Sequence, residues 1–418
     1  MTLSLLPVLF SSFRLSGSFL LLASLSLGAL PVTADDFCAD WREWSTLYRS
    51  KDTAVSLVKL YGMAQYQIGY VDGTDSAGKS FSDAQHEFRR IWLGGDVNFL
   101  HGFVFKNVFS ITQGKDAATD DQDIGFKHFR NLSLSYDFTK TPGSTLDFKR
   151  LELGYGRRSL KVADEWQKSA THFDPVERSA FSNKLWPTDE GGSHPVGVWV
   201  RATRGSEDVQ LGVFSTTHDD VLPGWNDGIL LYGEWAHKLA AGTRFDKREI
   251  AINGFSQDAR ATDDQLARGV EWGAAAILRL HGGPWEIDST IGAGENGDDA
   301  NVKREGGFWG VSLMPMYWLV EDKVKLVTRY QYQHASQAQG IRLNSRYARS
   351  ADARGEANLK LTGGRGDRHH NLYLGLNYFF CGDNLKLVSG IEYDDIETAN
   401  GINVFKGWTA SSALRMFF

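Results

Sequence analysis

The stretch 371–394, NLYLGLNYFFCGDNLKLVSGIEYD, holds two runs, 371–380 and 385–394, on either side of the short turn Cys381-Gly382-Asp383-Asn384. Period-2 alternation marks half-buried strands, and a short polar turn between two of them marks antiparallel neighbours. The same unit recurs back to residue 57. Strands are expected over 57–71, 86–98, 103–112, 126–137, 146–156, 195–204, 209–216, 228–237, 248–256, 269–280, 285–294, 308–318, 323–334, 371–380, 385–394 and 406–418. Their typical length of about ten residues suits a tilted strand that crosses a membrane.

The connections between these strands are the decisive signal. After even-numbered strands they are mostly short: 99–102, 205–208, 281–284, 319–322 and 381–384. After odd-numbered strands they are longer and polar, with extremes at 157–194 and 335–370. Every second crossing therefore ends on the same side, as in a barrel with short periplasmic turns and long external loops. A soluble β-sandwich has no reason to segregate its loops this way. The expected fold is all-β: a transmembrane antiparallel β-barrel of about 16 strands, closed because an open edge in lipid would leave backbone groups unpaired. The even count puts both termini in the periplasm and the chain in a bacterial outer membrane, in contact with its lipid.

Composition agrees. With 44 Gly, 13 Trp, 14 Tyr and 25 Phe against 9 Pro, the chain is aromatic and strand-rich. Mean hydropathy is −0.32, but alternating barrel strands average near zero, so the value does not argue for solubility. At the N-terminus, Arg14 is the only charge before the run from Leu15 to Val32, and Val32-Thr33-Ala34 ends it with small residues. Residues 1–34 read as a signal peptide, with a retained anchor as the alternative. Residues 35–56 form a short periplasmic segment and 57–418 the barrel. Trp41, Trp44 and Leu47 stand at helical spacing and suggest a short helix at the periplasmic mouth. Cys38 and Cys381 both fall on the oxidising periplasmic side and are candidates for a disulfide. No basic patch suggests nucleic acid.

The last strand sets Trp408, Ala410, Ser412, Leu414, Met416 and Phe418 on one side. In the second strand Ile91, Leu93, Gly95, Val97 and Phe99 form the lipid face, which aims Arg90, Trp92, Asp96 and Asn98 inward. The same alternation points Lys106, Arg150, Glu152, Arg158, Arg201, Arg279, Lys325 and Arg329 into the lumen. A charge facing lipid at the midplane would cost about 2–4 kcal/mol, which favours inward placement. Such a ladder of Arg and Lys could concentrate anions. Alternatively, lumen charges of both signs pair across the wall and only stiffen it.

Three stretches resemble the phosphate-selective porin O/P family. They are Phe88 to Phe99, Leu151 to Pro187 with its Val176-Glu177-Arg178-Ser179 and Leu185-Trp186-Pro187, and Tyr373 to Tyr378 with Leu385-Lys386-Leu387. The resemblance implies a sixteen-stranded porin, usually a homotrimer, whose loop after strand five folds inward as the constriction. That loop, 157–194, is independently one of the longest. Its constriction candidates are Lys161, Lys168, Arg178 and Lys184. Over 157–190 these stand with Arg157 and Arg158 against Asp164, Glu165, Asp174, Glu177, Asp189 and Glu190. The balance departs from the basic lining of the family's phosphate-binding members.

Nothing in the sequence suggests catalysis, a metal or a cofactor. His369-His370 and Asp367 lie in an Arg- and Gly-rich stretch that reads as a solvated external loop. No helix is expected after Gly363-Gly364-Arg365-Gly366-Asp367, so it is no phosphate-cradling loop. The acidic clusters Asp298-Asp299 and Asp116 to Asp123 read as solvated loop charge. Two functional readings follow: a passive porin for small hydrophilic solutes or anions with modest anion preference, or a surface structural or interaction barrel with a closed lumen.

Overall fold

The computed structural model describes residue 38 and residues 45–418, except residue 113 and the stretches 188–193, 217–224, 226–227, 259–268, 298–302 and 360–362. The signal segment 1–34, most of 35–44, and Asp189, Glu190, Asp298 and Asp299 lie outside them. Sixteen strands form the wall: β1 (Val55–Thr74), β2 (Ser80–Phe99), β3 (Phe103–Thr112), β4 (His128–Asp137), β5 (Arg150–Arg157), β6 (Val196–Arg204), β7 (Glu207–Ser215), β8 (Ile229–Leu239), β9 (Lys247–Gln257), β10 (Val270–Gly282), β11 (Trp285–Asn296), β12 (Gly306–Val320), β13 (Val324–Ala335), β14 (Arg368–Phe379), β15 (Leu385–Glu397) and β16 (Asn403–Phe417). Each pairs antiparallel with its sequence neighbour, and β16 closes on β1 from Lys406↔Thr74 to Phe417↔Met63. Closure satisfies the backbone groups that lipid cannot.

The alternation in the sequence becomes the two faces of the wall. On β14, Leu372, Leu374 and Leu376 are about half exposed, while Asn371, Tyr373 and Asn377 between them are buried. On β16, Trp408, Leu414 and Met416 face outward and Arg415 is buried. Aliphatic side chains can stand so exposed only where lipid covers them.

Three expectations need correction. The first two strands are longer than 57–71 and 86–98, and their external connection shrinks to residues 75–79. They outrun the others because the other long connection, 336–367, folds back against their outer ends. Its helix Arg346–Ala353 buries Tyr347, Ala348 and Ala351 in one cluster with Val71, Phe81, Ile396 and Phe405. The histidines are not in a solvated loop either. Alternation simply continues past residue 371, so that His369 faces inward on β14, fully buried with Nε2 2.8 Å from Asp394 Oδ1. His370 faces outward beside the Tyr330 hydroxyl at 3.0 Å. Lastly, Leu47 is in a short strand, Thr46–Arg49, that pairs with the start of β1. The ladder edge offered by Leu57 to Lys59 outweighs helical spacing there; Trp41 and Trp44 lie outside the described residues. Just ahead of this strand, the sulfurs of Cys38 and Cys381 are bonded, with Cα atoms 5.2 Å apart.

Candidate functional site

Residues 158–187 of the connection after β5 fold into the barrel and are held there by charge. Its two short helices, Asp164–Gln167 and Ala180–Lys184, carry buried residues on nearly every face. A buried loop must satisfy its polar groups inside the protein, and this one uses the inward bases of the wall. Asp164 accepts from Arg279 at 2.6 Å, Glu165 from Arg329 at 2.8 Å, and Asp174 from Lys325 at 3.1 Å. Glu177 takes Arg89 at 2.7 Å and Arg90 at 3.0 Å. In the opposite sense Lys168 pairs with Asp288 of β11. Arg415 donates to the carbonyls of Phe173, Pro175 and Val176. The balanced charge of the loop is thus the complement of the wall.

Burial alone would raise the loop carboxyls. Neighbouring Lys325 and Lys168 instead hold Asp174 low, and Arg329 does the same for Glu165. Glu177 is held furthest below the usual range, by Arg89 and Arg90. Lys161 behaves differently. Burial pulls its ammonium down to about 8, against only partial support from Glu234, and it donates to the Gln167 carbonyl at 3.2 Å.

The residues expected to line the lumen divide into three groups. Arg279, Lys325 and Arg329 anchor the loop, and Arg329 is fully buried between Glu165 and Glu392. Lys106, Arg150 and Arg201 lie toward the short-turn end, against Asp96, Glu152 and Asp208 respectively. Arg158 lies 4.5 Å over the Trp199 ring. Arg90 belongs to the third group, which surrounds a cavity of about 740 Å³ between β2–β4 and the two infolded connections. Of the constriction candidates, Lys161, Lys168 and Arg178 line this cavity, while Lys184 points to the Phe308 ring at 5.2 Å. Eleven Arg and Lys side chains line the cavity against four carboxylates.

Two of those arginines escape simple alternation, because the wall is bulged where it meets the loop. Gln65 pairs with Arg90 but Tyr66 with Phe88, leaving Arg89 as an extra residue of β2. Trp92 pairs with Ser110 and Ile91 with Thr112, leaving Ile111 over. Val108 pairs with Asn131 and Phe109 with Phe129, leaving Arg130 over. Bulges re-aim the side chains on one side of them. Here they turn Arg89 and Arg130 into the lumen beside Arg90. The adjacent arginines at 89–90 were the signal, since one of two neighbours on a regular strand would face lipid. The acids 116–123 at the cavity rim serve local ends: Asp116 accepts from Ala118 and Thr119, Asp120 pairs with Lys115, and Asp123 with Lys127.

No protein-family model matches the chain, and no curated protein matches it in sequence. The resemblance to the phosphate-selective porin O/P family therefore rests on its three short stretches alone. Solved structures do share the fold. An outer-membrane protein OmpT of Vibrio cholerae superposes with TM-score 0.52 at 13% identity over 88% of this chain and 99% of that one. The outer-membrane channel DcaP of Acinetobacter baumannii gives 0.51 at 13% identity over 89% and 99%. An anion-selective porin from Comamonas acidovorans gives 0.50 at 13% over 86% and 99%. The closed wall, its exposed aliphatic belt and this shared fold place the chain in a bacterial outer membrane as a barrel of the porin type.

Proposed function

We propose that the chain is a porin, a water-filled channel for passive diffusion of small hydrophilic solutes, with a preference for anions and assembly as a homotrimer. The observation that carries this reading is the basic cavity against the constriction loop, where cations outnumber carboxylates eleven to four. A cluster of one sign between low-dielectric walls raises the local concentration of counter-ions. Several of the eleven are paired, as Lys115 with Asp120, Lys168 with Asp288 and Arg346 with Glu87, so the preference in this reading rests on Arg130, Lys161 and Arg178 rather than on a ladder along the whole wall. Inorganic oxyanions such as phosphate fall within the class. Residues 1–34 act as the export signal in this reading, and the Cys38–Cys381 bond ties the mature N-terminal segment to the periplasmic rim.

A second reading, a surface structural or interaction barrel with a closed lumen, is favoured by one observation. The constriction loop extends far enough toward the short-turn end for His172 to stand 3.7 Å from Asp383. Planar-bilayer recording separates the two. The porin reading expects discrete conductance steps from purified protein and, in a salt gradient, a reversal potential on the anion side. Absence of steps would remove it, and a cation-side reversal would remove the anion preference. Chemical cross-linking in detergent tests the trimer.

A further inference from the structure

Arg130 is held on an indole face, as Arg158 is over Trp199. Its guanidinium lies 4.0 Å over the Trp92 ring, and among the described residues no carboxylate pairs with it. Beside it, Arg89 and Arg90 share Glu177. Arg178 lies 3.9 Å over Trp166 and spends its Nε and Nη2 on the carbonyls of Glu165 and Lys168. Trp166 is 8% exposed, is stacked on Trp186 at 3.6 Å, and lines the same cavity. Its indole N–H has no acceptor among the described residues. An unpaired guanidinium next to two others and an unpaired buried indole donor are both unfavourable. Entry of an anion relieves the first, because its oxygens accept from the guanidinium.

The site narrows the class of that anion. A guanidinium over an indole face can present its N–H fork to the cavity, and that fork matches the two oxygens of a carboxylate. A cavity of about 740 Å³ is of the size that takes an organic molecule. Trp92, Trp166, Ala170 and Trp186 give it apolar wall beside the charge. We propose that this cavity is a saturable binding station for organic carboxylates with a ring or other apolar body, the carboxylate on Arg130 and the body along the Trp166 side. The proposal deepens the porin reading and rests on it for biological meaning. Binding itself does not require conduction, so the two can fail separately.

Calorimetric titration of the purified, refolded full chain in detergent tests it. The probes are benzoate, acetate and inorganic phosphate at constant ionic strength. Benzoate is expected to bind with saturation and at least tenfold more tightly than acetate or phosphate. Arg130→Gln should weaken benzoate tenfold or more. Arg130→Lys, which keeps the charge without the fork, should recover only part of the loss, and Trp166→Phe should weaken binding several-fold. Equal affinities for the three anions, no benzoate binding to the wild type, or unchanged binding in Arg130→Gln would each overturn the proposal. Benzoate binding in a protein without conductance steps would keep the station and remove the porin; steps without benzoate binding would do the reverse.

Discussion

Replacing Arg329 with glutamine should release the constriction loop. The arginine is fully buried and bonded to Glu165 at 2.8 Å, to Glu392 at 2.7 Å and to the Glu177 carbonyl at 3.0 Å. Glutamine keeps much of the volume and none of the charge. Glu392 is 22% exposed, and water compensates it in part, so its share is discounted. Glu165 is 3% exposed and would keep neutral donors alone, among them the Ser179 N–H and hydroxyl, both at 2.7 Å. Breaking a buried ion pair from one side costs about 3–5 kcal/mol, because it strands the other charge. At the lower end, about 3 kcal/mol, the docked-to-undocked ratio of the loop falls roughly 100-fold, since each 1.4 kcal/mol is a factor of ten. The readouts are trypsin cleavage after Arg178 and Lys184 in refolded protein, and current noise in bilayers. Both should rise. Adding Glu165→Gln should restore part of the protection by removing the stranded charge. Lowering the pH should also help the single variant, because Glu165, no longer held low by Arg329, takes up a proton more readily. A loop as protected in Arg329→Gln as in the wild type would refute the account of how it is held, and so would a double variant worse than the single one.

Four further outcomes follow from the same geometry. Glu177→Gln removes one of the four carboxylates lining the cavity, the ion-pair partner shared by Arg89 and Arg90, so the anion-to-cation permeability ratio from reversal potentials should rise about twofold or more. Burial brings the Lys161 ammonium down to about 8; it is charged below that pH and neutral above it, so anion selectivity should fall between pH 7 and 9. Lys161→Arg, which stays charged, should abolish that fall. At Gly69 an added Cβ would clash with the Tyr347 ring; Gly69→Ala should therefore displace the helix Arg346–Ala353 at a cost of about 1–3 kcal/mol and expose it to trypsin. Mass spectrometry of unreduced protein should find no free thiol, as the Cys38–Cys381 bond requires.

The wall was legible in the sequence because lipid enforces a strict rule. On β14 exposed and buried positions alternate, and the pattern is visible as Leu372, Leu374, Leu376 against Asn371, Tyr373, Asn377. The even parity and the inward face of Arg90, Arg279, Lys325 and Arg329 followed from that rule. What the inward residues touch did not follow. Arg329 and Glu165 are far apart in the chain and meet only because a long connection folds back through the lumen. The same limit hid the second infolded connection. Its buried positions, Ile341, Leu343, Tyr347 and Leu359, show no strand period, and their partners Val71 and Phe405 lie on distant strands.

The arginines at 89 and 130 show how an exception to alternation shapes the lumen. A regular strand through Phe88-Arg89-Arg90 must send one guanidinium toward lipid, at about 2–4 kcal/mol near the midplane. A bulge avoids that cost by adding one residue and turning both inward, at the expense of a local ladder bond. On β2, β3 and β4 the extra residues Arg89, Ile111 and Arg130 fall at neighbouring positions. The wall therefore bends once, coherently, where the loop approaches it. A single bulge would have placed two arginines against Glu177. The bulge on β4 adds Arg130, for which the loop supplies no carboxylate. Charge balance thus holds along the docking seam and fails at Arg130, on the side open to the cavity. In the binding station proposed above, that guanidinium is the part of the wall that a carboxylate would meet.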